Sequence, residues 1–336
     1  MKERINWIDW GKALAVIIVV FCHLPQLQEW FYYRYLQACI ITLFFFISGY
    51  LKKDRGSDKE NWRKYWYGLI LPYIIYNLLV YPYWFVRYYL LNGSMPDLFS
   101  ALKPIIGALL FEHESSFAEP LNGPLWYLPA ILFMHITIDL CRKTRNLHLM
   151  MIVLCIISFL LYLANKQWEF IHSMTPVGIF RRLPYYYIGY VMGRTGVFNK
   201  MNLRKDITGC LFLIPLSTLF FYWHLYELRT LPHVILFYPV NLCFLFGFIY
   251  GCKLLSIYKT DIIVNISIGT LLIIGLHFPI IGIINYLTGK FCYHWYEAFP
   301  TALLIIAGLY PLILLAKHHA PILIGKHPSS WNRIKE

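Results

Sequence analysis

About ten apolar runs dominate this chain, each near the ~20 residues that a helix needs to cross a bilayer core. They lie at roughly 9–28, 36–52, 65–90, 124–141, 147–165, 175–193, 207–225, 232–254, 262–286 and 299–317. Backbone polar groups in hydrocarbon must be satisfied within the segment, so such runs cross as helices. The expected fold class is therefore all-α: a polytopic transmembrane helical bundle. It would form one domain over 1–336, with a short tail from about 318. The segment 91–123 interrupts the series. It carries a shorter apolar piece, Leu98 to Phe111, expected as an interfacial or re-entrant helix.

Composition agrees with this reading. Hydrophobic residues make up 59% of the chain and charged residues 14%, with mean hydropathy +0.54. A soluble domain is about half apolar and a quarter charged. The net charge of +13 does not imply a nucleic-acid partner. With the N-terminus in the cytoplasm, the inner side holds every one of the 30 Lys and Arg residues except Arg34, Arg87, Lys103, Lys166, Arg181, Arg182, Arg229 and Lys290. That asymmetry favours ten spans with both termini cytoplasmic. The expected location is the cell inner (plasma) membrane, as a multi-pass protein. The Met-Lys-Glu-Arg start resembles a signal peptide, but no small-x-small cleavage site follows, so an uncleaved first helix is expected.

The eight cysteines form no C-x-x-C pair and most sit inside apolar runs, which argues against a metal site or a disulfide framework. A Cys39–Cys292 bridge on the outer side is the one pairing left open. There is no Walker P-loop, dinucleotide glycine fingerprint, H-E-x-x-H or G-x-S-x-G.

Ionisable groups inside spans are costly and usually face a bundle interior or a water-filled cavity. Lys12 and His23 stand eleven positions apart in the first run. At about 100° per residue both lie on one face, about 16 Å apart along the axis, as if lining one polar channel. His23 is the leading candidate for a catalytic base, because a neutral imidazole can take a proton from an alcohol near pH 7. Lys12 could meet a phosphate or, less specifically, pair with Asp9. His277, in the ninth run, is a second intramembrane histidine at similar depth, whereas His135 reads as a core histidine. Phe44 to Tyr50 ends the second run with Ser48 and Gly49, small residues suited to close helix approach. Lys52 and Lys53 follow at once, either as an ordinary inner-side signal or as a docking patch for an anionic cofactor. Gly123 to Pro129 opens the fourth run with Trp126 and Tyr127, a membrane-belt pair or a platform for a sugar ring. Arg181 and Arg182 lie deep in the sixth run, just before Tyr185. Adjacent residues point about 100° apart, so at most one is expected to face a cavity centrally, with Asp139 and Glu169 as possible partners.

Together these stretches resemble the integral-membrane acyltransferase-3 family. Its first helix carries a basic residue, ten residues and a histidine, matched here by Lys12 and His23. Phe44 to Tyr50 is similar to its F-F-x-I-S-G-F/Y element and Gly123 to Leu128 to its G-P-L-W-F/Y-L element. Arg182 to Gly189 and Ser267 to Pro279 also match, in the right order, over nearly the whole chain. The short form, fucose 4-O-acetylase-related, fits best. Lysine replaces the family's usual arginine at position 12, which keeps the charge and loses the bidentate fork.

The resemblance implies an O-acyltransferase that moves an acetyl group from cytosolic acetyl-CoA to a hydroxyl of a cell-surface or exported carbohydrate. Its partners would be membrane lipid, acyl-CoA and the carbohydrate acceptor, with no metal. Catalytic roles would fall to His23, Lys12 and His277. Donor contacts would fall to Lys12, Ser48, Lys52, Lys53, Arg181 and Arg182, and acceptor contacts to Trp126, Tyr127 and Tyr185. A polytopic exporter of a polysaccharide or lipid-linked sugar is the alternative, but no inverted repeat supports it.

Overall fold

The computed structural model describes residues 4–25, 31–53, 57–111, 121–169, 171–226 and 231–327. Helices account for nearly all of them, in the order α1 (Asn6–His23), α2 (Phe31–Leu51), α3 (Asp58–Tyr65), α4 (Leu71–Asn92), α5 (Leu98–Leu109), α6 (Tyr127–Cys141) and α7 (Leu147–Trp168). There follow α8 (Met174–Thr195), α9 (Leu203–Tyr226), α10 (Leu231–Leu255), α11 (Asp261–Ile268), α12 (Thr270–Thr288) and α13 (Trp295–His319). Among the described residues, nine helices are long and apolar enough to cross a membrane. α8 has the length of a span, 22 residues or about 33 Å, but Arg181, Arg182 and Arg194 make it less apolar than those nine. α5 has 12 residues, about 18 Å, too short to cross, as the interfacial reading requires.

One expected span carries a local irregularity and another is broken. The third enters through α3 and a π turn at Trp66–Ile70 before α4. The ninth is broken at Gly269, where α11 stops and α12 begins one residue later. The Thr270 hydroxyl donates to the Ser267 carbonyl across the break, 2.9 Å.

Burial sorts the spans. α7 and α9 have only 17% of their apolar windows buried, so many of their Leu and Ile side chains are exposed. α1, α2 and the 123–141 helix have 61% buried and form interior elements. Three of the sequence motifs, Lys12 to His23, Phe44 to Tyr50 and Gly123 to Leu128, sit on these helices.

Contacts divide the chain into two compact units. The first comprises Met1–Lys52, Tyr185–Thr270 and Phe291–Tyr310. In it, Asp9 on α1 accepts from Arg4, 2.8 Å, and from the Ser267 hydroxyl, 2.6 Å, tying α1 to α11. The carboxylate named as a possible partner of Lys12 thus also serves Arg4 and Ser267. Trp7 packs edge-on against Tyr50 and Phe198, with centroids at 5.2 and 5.9 Å. The Thr42 hydroxyl donates to Asn241 on α10, 2.8 Å.

Small residues bring α2 against α8 in this unit. A methyl group added at Gly49 would fall 2.0 Å from the carbonyl oxygen of Tyr186. Methyl groups at Gly189 and Gly193 would fall 2.1 Å from the carbonyls of Phe46 and Tyr50. Such contact between backbones is the usual gain from small residues in membrane helices. The expectation of close approach through Gly49 therefore holds, and its partner is the Tyr186–Gly193 stretch.

The second unit comprises Lys53–Pro184, Leu271–Lys290 and Pro311–Glu336. After α13 the chain makes a 3-10 turn at Pro321–Ile324 and docks on the third span. Tyr76 donates to the Leu323 carbonyl, 2.6 Å, and Arg63 donates to a ring nitrogen of His327, 2.8 Å. The tail that begins near 318 is thus folded onto the bundle as far as His327.

Candidate active site

Each histidine singled out by sequence is held by its own helix. His23 Nδ1 lies 2.7 Å from the Val19 carbonyl, and His277 Nδ1 lies 2.8 Å from the Ile273 carbonyl, each four residues back. A carbonyl only accepts, so Nδ1 carries the proton in both rings and Nε2 carries the lone pair. This fixes the tautomer and the ring plane of both side chains. A neutral ring held in this way accepts a proton at Nε2. His23 is half-buried and His277 fully buried.

On the face of α1 shared by Lys12 and His23, the residues between them are Val16 and Val19, 0% and 5% exposed. The two polar groups thus stand at either end of a buried valine stretch. Lys12 is half-buried, as are Ser48 and Lys52, and Lys53 is exposed.

His277 has a second support. Pro279 lacks the N–H that would serve the Gly275 carbonyl, four residues back in α12. Asn122 supplies the missing donor from Nδ2, 2.8 Å away. Asn122 is completely buried, and sequence reasoning passed over it. The four-residue spacing from Gly275 to Pro279 is the sequence signal that announces a carbonyl needing a partner. Tyr76 packs its ring against Gly275 from another helix.

The second unit contains a partly open cleft of about 600 Å³. It gathers Trp126, Tyr162, Lys166, Glu169, Arg181 and Arg182, among others. Both arginines are among the residues that line it, Arg182 buried and Arg181 half-buried. Long side chains bend from diverging Cα positions toward the same polar space. The guanidinium of Arg181 lies 5.6 Å from the Tyr162 ring centre, and that of Arg182 lies 5.4 Å from the Trp126 ring. Trp126 packs on Gly178, where an added methyl would fall 2.2 Å from the indole. Arg181 and Arg182, placed with the donor by sequence, therefore share a cleft with Trp126, placed with the acceptor. Asp139, a suggested arginine partner, accepts from the Tyr65 hydroxyl and lies 3.7 Å from Arg142. His135 is half-buried and stacks on Tyr65 at 5.3 Å.

Tyr127 opens α6, half-buried, and is not among the residues lining the cleft. Tyr185 is completely buried and stacks on Tyr238 at 5.7 Å, its hydroxyl donating to the Tyr238 carbonyl. It packs α8 against α10 in the first unit.

The first unit has a smaller cleft of about 360 Å³, where α8 ends, α9 begins and α10 ends. Phe198, Phe246 and Tyr250 supply rings, and Lys200, Lys205 and Lys253 supply cations. Lys253 is bound to Asp206 at 2.6 Å, and both are almost fully buried. Sequence reasoning counted these lysines only as inner-side charge. Cys39 and Cys292 are both free thiols, the first buried and the second exposed.

The family model for an acyltransferase domain matches residues 5–317. The chain belongs to the acyltransferase-3 family. No curated protein and no solved structure matches it. As a member of that family with this array of apolar helices, it is a multi-pass membrane acyltransferase. The tautomer of its two intramembrane histidines suits that chemistry. An acyltransferase needs a proton acceptor for its nucleophile, and Nε2 is the acceptor in each ring.

Proposed function

We propose that this acyltransferase transfers an acetyl group from cytosolic acetyl-CoA to a hydroxyl of a carbohydrate at the opposite face of a plasma membrane. The observation that carries the proposal is the Nδ1–H to Val19 bond of His23, which leaves Nε2 as a base at the C-terminal end of α1. His23 takes the proton as the hydroxyl oxygen attacks the thioester carbon. The C–S bond then breaks, and His23 returns the proton to the departing thiolate. His277, in the same tautomer, is the second base the reaction could draw on.

The donor side is supported by the lysine-rich cleft at the end of α8. Aromatic faces suit an adenine ring, and Lys200 and Lys205 suit its phosphates. Lys12 adds a cation near the cytoplasmic end of α1 and Lys52 another just past the end of α2, with Lys53 following. The acceptor side is supported by Trp126 and the cleft it lines. The fucose 4-O-acetylase-related subtype remains part of this proposal.

Membranes from cells expressing the protein, given acetyl-labelled acetyl-CoA, should place label in glycan. His23→Gln should abolish transfer at unchanged protein level. Full transfer by that variant would remove His23 as the base, and absence of label with the native protein would remove the acetyltransferase reading.

A further inference from the structure

We infer that the Arg181–Arg182 cleft binds an acidic saccharide, with a carboxylate or phosphate of the sugar on the arginine pair. The inference rests on the function proposed above and names the acceptor class.

The lining carries Lys166, Arg181 and Arg182 against one carboxylate, Glu169. A neutral sugar needs no such excess, and a buried arginine in a membrane protein is costly to keep. Arg182 is 8% exposed. Guanidinium forks match carboxylate and phosphate oxygens bidentately. The forks are also held in place. Arg182 lies over Trp126, Trp126 rests on the bare backbone of Gly178, and Arg181 lies over Tyr162.

The rim is built as well. Asn165 at the end of α7 clasps Ile171, donating to its carbonyl at 3.0 Å and accepting from its N–H at 2.7 Å. Ser173 and Thr175 both donate to the Phe111 carbonyl. Lys166, Glu169 and His172 are exposed at the mouth and offer donors and acceptors to sugar hydroxyls. Counting spans along the chain puts the end of α7 on the face opposite the N-terminus, where an exported glycan would be met. The volume, about 600 Å³, lies inside the usual range of about 300–1,000 Å³ for small-molecule sites.

The test is equilibrium binding to the full chain in phosphatidylcholine nanodiscs without acyl donor. The probes are a glucuronate-containing tetrasaccharide and the same tetrasaccharide with its carboxyl reduced to the alcohol. The acidic probe should bind at least about 10-fold more tightly, and Arg182→Gln should weaken it about 10- to 100-fold, the usual weight of a charge-assisted contact. Arg182→Lys should recover only part of this, because the fork is lost. Glu169→Asn keeps the left-handed backbone at φ 49° comfortable and removes the opposing charge, so it should raise the preference for the acidic over the neutral probe a few-fold.

Equal binding of the two probes would overturn the inference, as would an unchanged Glu169→Asn. Displacement of the acidic probe by phosphatidylglycerol vesicles but not by inorganic phosphate would also overturn it, since the cleft would then be a lipid headgroup site. Label transfer with no preference for acidic acceptors would leave the acetyltransferase reading standing and remove this one.

Discussion

Gly189 of α8 lies so close to Phe46 of α2 that a methyl group on it would meet the Phe46 carbonyl oxygen at 2.1 Å. The obstacle is backbone and cannot rotate away. Gly189→Ala should therefore separate the helices, at a cost of about 1–3 kcal/mol for overpacking or more. Thermal unfolding of the detergent-solubilised protein should show a clear fall in midpoint. Gly308→Ala is the control, because nothing lies within 4 Å of its added methyl. Helix propensity should leave its midpoint unchanged or slightly raised.

The Asn122–Gly275 bond makes a reciprocal prediction. Asn122→Ala leaves a buried carbonyl without a donor, a loss of about 1–3 kcal/mol. Pro279→Ala restores the N–H at position 279, so the helix can serve Gly275 itself. The cost of Asn122→Ala should then shrink in the double variant, and a double-mutant cycle by thermal unfolding reads the coupling. Strict additivity would show that the bond does not stabilise α12.

Lys253 and Asp206 form a buried ion pair, 5% and 0% exposed at their side chains. Removing one partner strands the other charge, so Lys253→Met should cost about 3–5 kcal/mol. Asp206→Asn keeps an oxygen for the Asn202 N–H, which Asp206 accepts at 3.0 Å. The double variant Lys253→Met/Asp206→Asn should recover much of the loss in the same unfolding assay.

The docked tail should respond to pH. Partial removal from water, and then the neighbouring Arg63 charge, hold the His327 imidazole below its ordinary value of 6.5. The neutral ring is the one that accepts from Arg63. The contact is fully present above pH 6.5 and is lost as pH falls through the lower folded value. Protease cleavage near His327 should therefore accelerate as the pH is taken below 6.5. In His327→Gln that acid-dependent step should disappear.

Much of the architecture could be read from local pattern. Long apolar runs forced helices, and the short run from Leu98 could not cross, because helix rise sets the length needed. His23 and His277 were legible as functional candidates because ionisable groups inside apolar runs are rare. Their tautomer was not, since it depends on which backbone carbonyl each ring meets.

What the sequence by itself determined was an all-helical membrane bundle and the stretches that carry its polar groups. Tertiary structure alone decided which stretches meet. It set Gly49 against Tyr186, gave Gly275 its donor in Asn122, and turned two neighbouring arginines into one cleft with Trp126. Helical periodicity is a property of a few consecutive turns and leaves its trace in the local sequence. A contact between residues on separate helices leaves none, because it depends on how whole helices pack.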